Sequence, residues 1–259
     1  MVTYAITGAT GRTGGSIVEI LQARSEVTVR AIVRSKQKLL DQRPSLAKSP
    51  NVEIFEGGID NVSLLASAIS GTQAVFLAAG ASDNIPGLQV SQQQVKAVVA
   101  AVSQLREQDP AMKLPLIVVL SSASIEYQYV KDIPKAAKAI LYRAAYFVYK
   151  DLEIAESYLR GQDWLPQVYV RPGGLVHDVP HGHVLSTERQ ETFISFLDLA
   201  AGMVEVAEAG GDVWDQRSVS VVPATSGTKI EWTLPWIMAK GLLYYYLPFL
   251  YPYTSSWLP

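Results

Sequence analysis

The chain of 259 residues has no cysteine. Disulfides, thiolate nucleophiles and zinc–thiolate centres are therefore excluded, and a reducing compartment suits the composition. Histidine is also scarce: there are three, all between His177 and His183. No charge sign dominates. The 22 bases and 24 acids leave a net charge of -2, which gives no general attraction to nucleic acid. The opening Met1-Val2-Thr3-Tyr4-Ala5-Ile6 has no basic lead and no long apolar run. No secretory leader is expected, and the default location is cytoplasmic. From Gly241 to Pro259 no residue is charged, yet Pro248 and Pro252 interrupt the stretch. Tyr244, Tyr245, Tyr246, Tyr251 and Tyr253 also require hydrogen-bond partners. This segment reads as a tail or lid and not as a spanning helix, with peripheral membrane contact left open.

With 49% hydrophobic residues the chain can bury one large core. Strand and helix patterns alternate through the first half. Tyr4–Thr7, Val27–Arg34, Val52–Phe55, Ala74–Ala78, Leu116–Leu120 and Gln167–Arg171 read as strands. Helices are predicted at about Thr13–Arg24, Val62–Ile69, Leu88–Gln108 and Arg143–Arg160, the last capped by Gly161. Such βα repetition predicts an α/β fold: a doubly wound parallel sheet of Rossmann type. The rhythm weakens after Pro172. Residues 1–259 read as a single domain, with about 173–195 and 223–259 forming a small substrate-side lobe and tail.

The most specific motif is Thr7-Gly8-Ala9-Thr10-Gly11-Arg12-Thr13-Gly14, between the first strand and the first helix. Gly8 permits the tight turn, Gly11 a close backbone approach to a pyrophosphate, and Gly14 close helix–strand packing. Thr10, Arg12 and Thr13 complete the loop and the helix start, where free N–H groups favour phosphate. This predicts a dinucleotide cofactor. Arg34 stands at the end of the second strand, where NAD enzymes carry an acid. Its guanidinium suits a 2′-phosphate, with Arg12 and Lys38 in reach, so NADP(H) is expected over NAD.

These residues resemble the short-chain dehydrogenase/reductase superfamily, and most closely its atypical NmrA-like NAD(P)-binding members. The resemblance extends over roughly Met1–Ala209. Gly57-Gly58-Ile59-Asp60 is similar to an adenine-contacting turn, and the resemblance implies that Ile59 contacts the cofactor. Ala78-Ala79-Gly80 is similar to the segment beside the cofactor after the fourth strand, implicating Ala79 and Gly80. Leu120-Ser121-Ser122-Ala123-Ser124 is similar to the serine-bearing end of the fifth strand. Arg171-Pro172-Gly173-Gly174 is similar to the turn near the nicotinamide, implicating Pro172 and Gly173. Ile194–Ala200 is similar to the family's late helix start. Gly58 departs from the family's usual acid at its position.

The superfamily's reductases carry Tyr-x-x-x-Lys. Tyr127/Lys131 and Tyr146/Lys150 both match. Only Tyr146/Lys150 falls on the helix between the fifth and sixth strands, where the superfamily places its pair. Residues i and i+4 share a helix face. Lys150 would hold the nicotinamide ribose and favour the ionised phenol, and Tyr146 would pass a proton to a developing alkoxide. Ser122 or Ser124 would bond the substrate oxygen, with Ser122 preferred. Ala123 falling at the superfamily's serine position would leave that role empty. Asp178, among the three histidines, is a further acid–base candidate; no metal site is expected there. Trp232, Trp236 and the tyrosine-rich tail would either roof an apolar pocket or form the core of the lobe.

The leading expectation is an NADPH-dependent reductase of a hydrophobic carbonyl or imine in specialised metabolism. Two alternatives keep the fold. One is a redox-neutral isomerase or cyclase, pericyclase-like, with NADP as a structural cofactor. The other is a non-enzymatic NADP-sensing regulator. A hydrophobic small molecule is the expected partner, with no nucleic acid and no spanning segment, for a monomer or homodimer.

Overall fold

The computed structural model describes residues 1–191, 193–229 and 232–255. The strands are β1 (Val2–Thr7), β2 (Val27–Val33), β3 (Val52–Glu56), β4 (Ala74–Leu77), β5 (Leu116–Leu120), β6 (Gln167–Val170), β7 (Leu175–Val176), β8 (His183–Ser186), β9 (Ile194–Ser195) and β10 (Arg217–Pro223). The helices are α1 (Arg12–Gln22), α2 (Lys36–Gln42), α3 (Val62–Ile69), α4 (Val90–Gln108), α5 (Tyr127–Val130), α6 (Lys135–Ala144), α7 (Tyr146–Arg160), α8 (Phe196–Ala209), α9 (Gly211–Trp214), α10 (Leu234–Tyr246) and α11 (Tyr251–Thr254). Eight strands form one sheet in the order β3-β2-β1-β4-β5-β6-β10-β8. Every pairing in it is parallel except β10 with β8. The expected doubly wound fold is therefore present. Its strand order reverses between β1 and β4, which is where ligands bind in such sheets.

Alternation along the strands divides the core into two layers. Ile6, Phe76 and Val118 face α1 and α8, against Ile17, Leu21 and Met203. Ala5, Val75 and Ile117 face α3, α4 and α7, against Leu65, Val98 and Leu159. Side chains fix several helix starts. Asn61 caps α3 by accepting from Leu64 N at 3.1 Å. Asp151, buried on α7, caps α4 instead, accepting from Ser91 N at 2.7 Å and Gln92 N at 3.2 Å.

Two features differ from the sequence reading. The helix expected over Arg143–Arg160 is broken at Ala145, which leaves helical geometry (φ -125, ψ 25). Asn84 accounts for the break. Its buried side chain accepts from Phe147 N at 2.7 Å and donates to Arg143 O at 3.3 Å, replacing bonds that a continuous helix would make internally. Second, residues 183–186 join the main sheet instead of a separate lobe. β10 pairs with β6 only over Arg217–Val219 and then runs on, so Ser220–Pro223 offers an edge that β8 takes up. Of the expected tail, residues 256–259 lie outside the described residues.

Candidate cofactor and active site

The glycine turn forms a cradle whose shape depends on missing side chains. Gly8 has φ +71, and a Cβ there would lie 2.6 Å from Ala79 N. A Cβ on Gly14 would overlap the Gly8 carbonyl. The turn after β1 therefore touches the end of β4 and the first turn of α1 at once, across the strand-order reversal. Gly11 is exposed at the N-cap of α1, with no side chain capping the helix and no acid in its first turn. The unmatched N–H groups of that turn and their partial positive charge suit a phosphate. Thr7 and Gln94 hold the opposite wall. Their side chains hydrogen-bond at 2.8 Å, and Gln94 Nε2 donates to Ala79 O at 2.8 Å. Gly80 beyond them is exposed.

Thr10, Gly11 and Arg12 open into a cleft of about 860 Å³ between α1 and the start of α8, which also borders His177, Asp178 and Phe196. The Arg12 guanidinium lies 5.6 Å from the Phe196 ring centre. Thr13 is buried in the first turn of α1. Arg34 and Lys38 are exposed beyond the end of β2. An acid from another strand nevertheless lies close to the end of β2. Val33 and Glu56 are partners in the β2–β3 register, and Glu56 accepts from Lys36 N at 2.9 Å. The carboxylate arrives from the neighbouring strand, so proximity in sequence could not reveal it. Arg43, also unforeseen, lays its guanidinium over Gly15 of α1, beside the same cleft. Ile59 is half-buried in the turn after β3.

The ends of β5 and β6 are joined. Pro172 O accepts from Ala123 N at 2.9 Å, and Gly173 follows half-buried. Buried Arg171 uses its whole guanidinium here. It meets Glu156 at 2.6 Å, Glu126 at 3.0 Å, Ser121 Oγ at 3.1 Å, Ser122 O at 3.3 Å and Ser218 Oγ at 2.9 Å. Ser121 Oγ also bonds Glu156 closely. Ser122 Oγ caps the following turn, accepting from Ser124 N at 3.2 Å.

Tyr146 opens α7, with its ring 5.1 Å from Tyr245, 5.2 Å from Phe147 and 6.0 Å from Tyr142. With Ser124, Leu141, Tyr142 and Tyr245 it lines a second pocket of about 480 Å³. Tyr245 from α10 was missed as a specific wall residue; the sequence offered only a tyrosine-rich tail. Trp232 and Trp236 roof nothing here, being 98% and 47% exposed. Lys150 is exposed and pairs with Glu153 at 3.2 Å, and Glu153 also accepts from Tyr142 at 2.7 Å. Burial and the Glu153 hydrogen bond push the Tyr142 phenol well above its ordinary range. The structure thus puts Tyr146 in a pocket with Ser124, while the Lys150 ammonium is engaged elsewhere.

Asp178 does not fit an acid–base role in this geometry. It accepts from Lys229 N at 2.8 Å, the His181 ring at 3.0 Å and Val179 N at 2.8 Å. The Lys229 N–H first, then His181 and Val179, hold its carboxyl down at about 2. With a depressed folded pKa, the stabilisation is present above the ordinary carboxylate range and is lost as pH falls through about 2. Asp178→Asn should therefore leave the acid limb of a pH–rate profile in place while loosening the segment around Lys229 in hydrogen exchange. A shifted acid limb would return Asp178 to the chemistry. His181 and His183 diverge, His183 pairing with Glu205 at 2.7 Å. Among the described residues no group of three metal-ligating side chains is assembled.

A family model described as NAD(P)H-binding matches residues 8–209. The chain belongs to the NAD(P)H-binding family. It is 43% identical to Oxidoreductase stcQ of Emericella nidulans, over 99% of this chain and 96% of that one. It is 39% identical to Oxidoreductase ordB of Dothistroma septosporum, again over 99% and 96%. Among solved structures, a short-chain dehydrogenase/reductase from Veillonella parvula in complex with NADP superposes with a TM-score of 0.67 at 15% identity, covering 88% of this chain and 97% of that one. This last likeness is one of fold. No helix among the described residues is long and apolar enough to cross a membrane.

Proposed function

We propose that this chain is an NADPH-dependent reductase of a hydrophobic carbonyl or imine in specialised metabolism, working in the cytoplasm as a monomer or homodimer. One observation carries the reading. The glycine cradle and the aromatic-walled pocket holding Tyr146 and Ser124 both open at the C-terminal edge of the parallel strands. The full-length relatives named oxidoreductases support net redox chemistry over a redox-neutral rearrangement. A second pocket at the same edge of the sheet supports an enzyme over a regulator.

When bound, NADPH supplies the hydride. Gly11 and the first turn of α1 hold the pyrophosphate. Arg34 and Lys38 take the 2′-phosphate. Ile59, Ala79, Gly80, Pro172 and Gly173 line the path of the cofactor. Tyr142 and Tyr245 keep water from the pocket. The Tyr146 hydroxyl delivers a proton to the substrate oxygen or nitrogen, and Ser124 or Ser122 orients that atom. Lys150, one turn from Tyr146, leaves Glu153 to act on the ribose.

Tyr146→Phe should lower kcat by about 10²–10⁴-fold with NADPH affinity unchanged. The check is product formation by mass, a gain of two hydrogens, across a panel of apolar carbonyls and imines. Hydride transfer that survives in the variant contradicts the assignment. Arg34→Ala should weaken NADPH binding about 10- to 100-fold and leave NADH nearly unaffected. Glu56→Gln should strengthen NADPH binding, because it removes a carboxylate from the phosphate's side of the site. Fluorescence titration of both cofactors reads these changes, and equal losses for NADPH and NADH would contradict the role of Arg34.

A further inference from the structure

The outer surface formed by α6 and the C-terminal helices has a charge pattern of its own. α6 packs on α10, and Asn84 ties them by donating to both Arg143 O and Gly241 O. Residues 133–150 and 232–255 together contain Lys135, Lys138, Arg143, Lys150 and Lys240, and no acid. The whole chain, in contrast, has a net charge of -2. Lys150 and Lys240 pair with Glu153 and Asp83. Among the described residues, no carboxylate pairs with Lys135, Lys138 or Arg143. Beside these bases stand large exposed apolar side chains: Ile140 on α6, Trp236 and Ile237 on α10, and Tyr246, Phe249 and Tyr253 at the C-terminal end.

We infer that this lobe seats the protein on an anionic lipid surface. Tryptophan and tyrosine settle at the boundary between headgroups and acyl chains, where an apolar ring and a polar tip are both satisfied. Unpaired lysines beside them add attraction to acidic headgroups. The helices are too short to span, which leaves an in-plane, reversible contact. A second copy of the chain fits less well. A two-fold interface must be self-complementary, and this one would bring Lys135, Lys138 and Arg143, none paired with a carboxylate among the described residues, against the same bases. The position has a consequence for access. The Tyr146 pocket is bordered by Lys135, Lys138 and Leu141, so an apolar molecule dissolved in the bilayer would reach the pocket without crossing bulk water. The inference does not rest on the reductase reading, since lipid binding is read without substrate or turnover.

The test is co-sedimentation of the full chain with two kinds of vesicle, phosphatidylcholine alone and phosphatidylcholine mixed with phosphatidylserine. The protein should pellet with the mixed vesicles, far less with the neutral ones, and be released at high salt, where the screening length shrinks to about 3 Å. Lys135→Gln with Lys138→Gln should weaken partitioning by about fivefold per lysine. Trp236→Ala with Phe249→Ala should weaken it by roughly tenfold per ring. Circular dichroism and NADP titration verify that the variants fold, and quenching of wild-type tryptophan emission by brominated lipid reads insertion with no variant at all. Three results would overturn the inference. In the first, the wild type stays in the supernatant with mixed vesicles. In the second, both double variants pellet as the wild type does. In the third, the vesicle-free protein is a dimer that Trp236→Ala with Phe249→Ala splits into monomers, which would give the face to a second copy.

Discussion

Arg171→Met is expected to cost about 3–5 kcal/mol of folding stability. The guanidinium is 2% exposed and meets two carboxylates, two serine hydroxyls and a carbonyl. Methionine fills much of the volume but satisfies none of these groups. Glu156, itself 6% exposed, would be left as a buried carboxylate with Ser121 as its remaining partner. An uncompensated buried charge is what makes breaking such a pair expensive; the pair as a whole adds far less. Arg171→Met combined with Glu156→Leu should therefore recover part of the loss. The contact with Ser122 O also links this network to the segment leading to Ser124, so activity should fall further than stability alone explains. Denaturant midpoints of the single and double variants measure the coupling. A loss below about 1 kcal/mol would show that the network is solvated and dispensable.

Gly14→Ala should lower both folding stability and cofactor affinity. The new methyl would overlap the Gly8 carbonyl, which is backbone and cannot rotate aside. Either α1 shifts away from β1 or the turn opens. The first strains the packing of Ile17 and Leu21 under the sheet, and the second misplaces the N–H groups around Gly11. A forced shift of this kind costs about 1–3 kcal/mol, with cofactor affinity falling at least tenfold in parallel. Gly80→Ala is the internal control. A Cβ there meets nothing within 4 Å, so stability should stay within about 0.5 kcal/mol. Similar melting temperatures for Gly14→Ala and Gly80→Ala would contradict the cradle described for the glycine turn.

The sheet and the glycine turn were legible in the sequence because both rest on local patterns. Apolar runs such as Leu116–Leu120 mark central strands, and a glycine turn between strand and helix has few other uses. What was not legible depends on partners distant in the chain. Glu56 reaches Lys36 only because β2 and β3 pair in that register. The break at Ala145 follows from Asn84, some sixty residues earlier. β8 joins the sheet because β10 overruns β6, which no periodicity in His183–Ser186 announces. The Tyr146/Lys150 spacing was read correctly as one helix turn, but the hold of Glu153 on Lys150 is a rotamer choice that the sequence does not encode.

The central claim is that the cradle and the Tyr146 pocket serve one bound NADPH. A crystal structure of the chain with NADP tests it most directly, through the distance from the Tyr146 hydroxyl to the nicotinamide C4. The account predicts pyrophosphate on the Gly11 turn, the 2′-phosphate against Arg34, and the nicotinamide facing Tyr146 within reach of a shared substrate atom, with Lys150 drawn from Glu153 to the ribose. A nicotinamide turned away from Tyr146, or Lys150 still held by Glu153 with the cofactor in place, would contradict it.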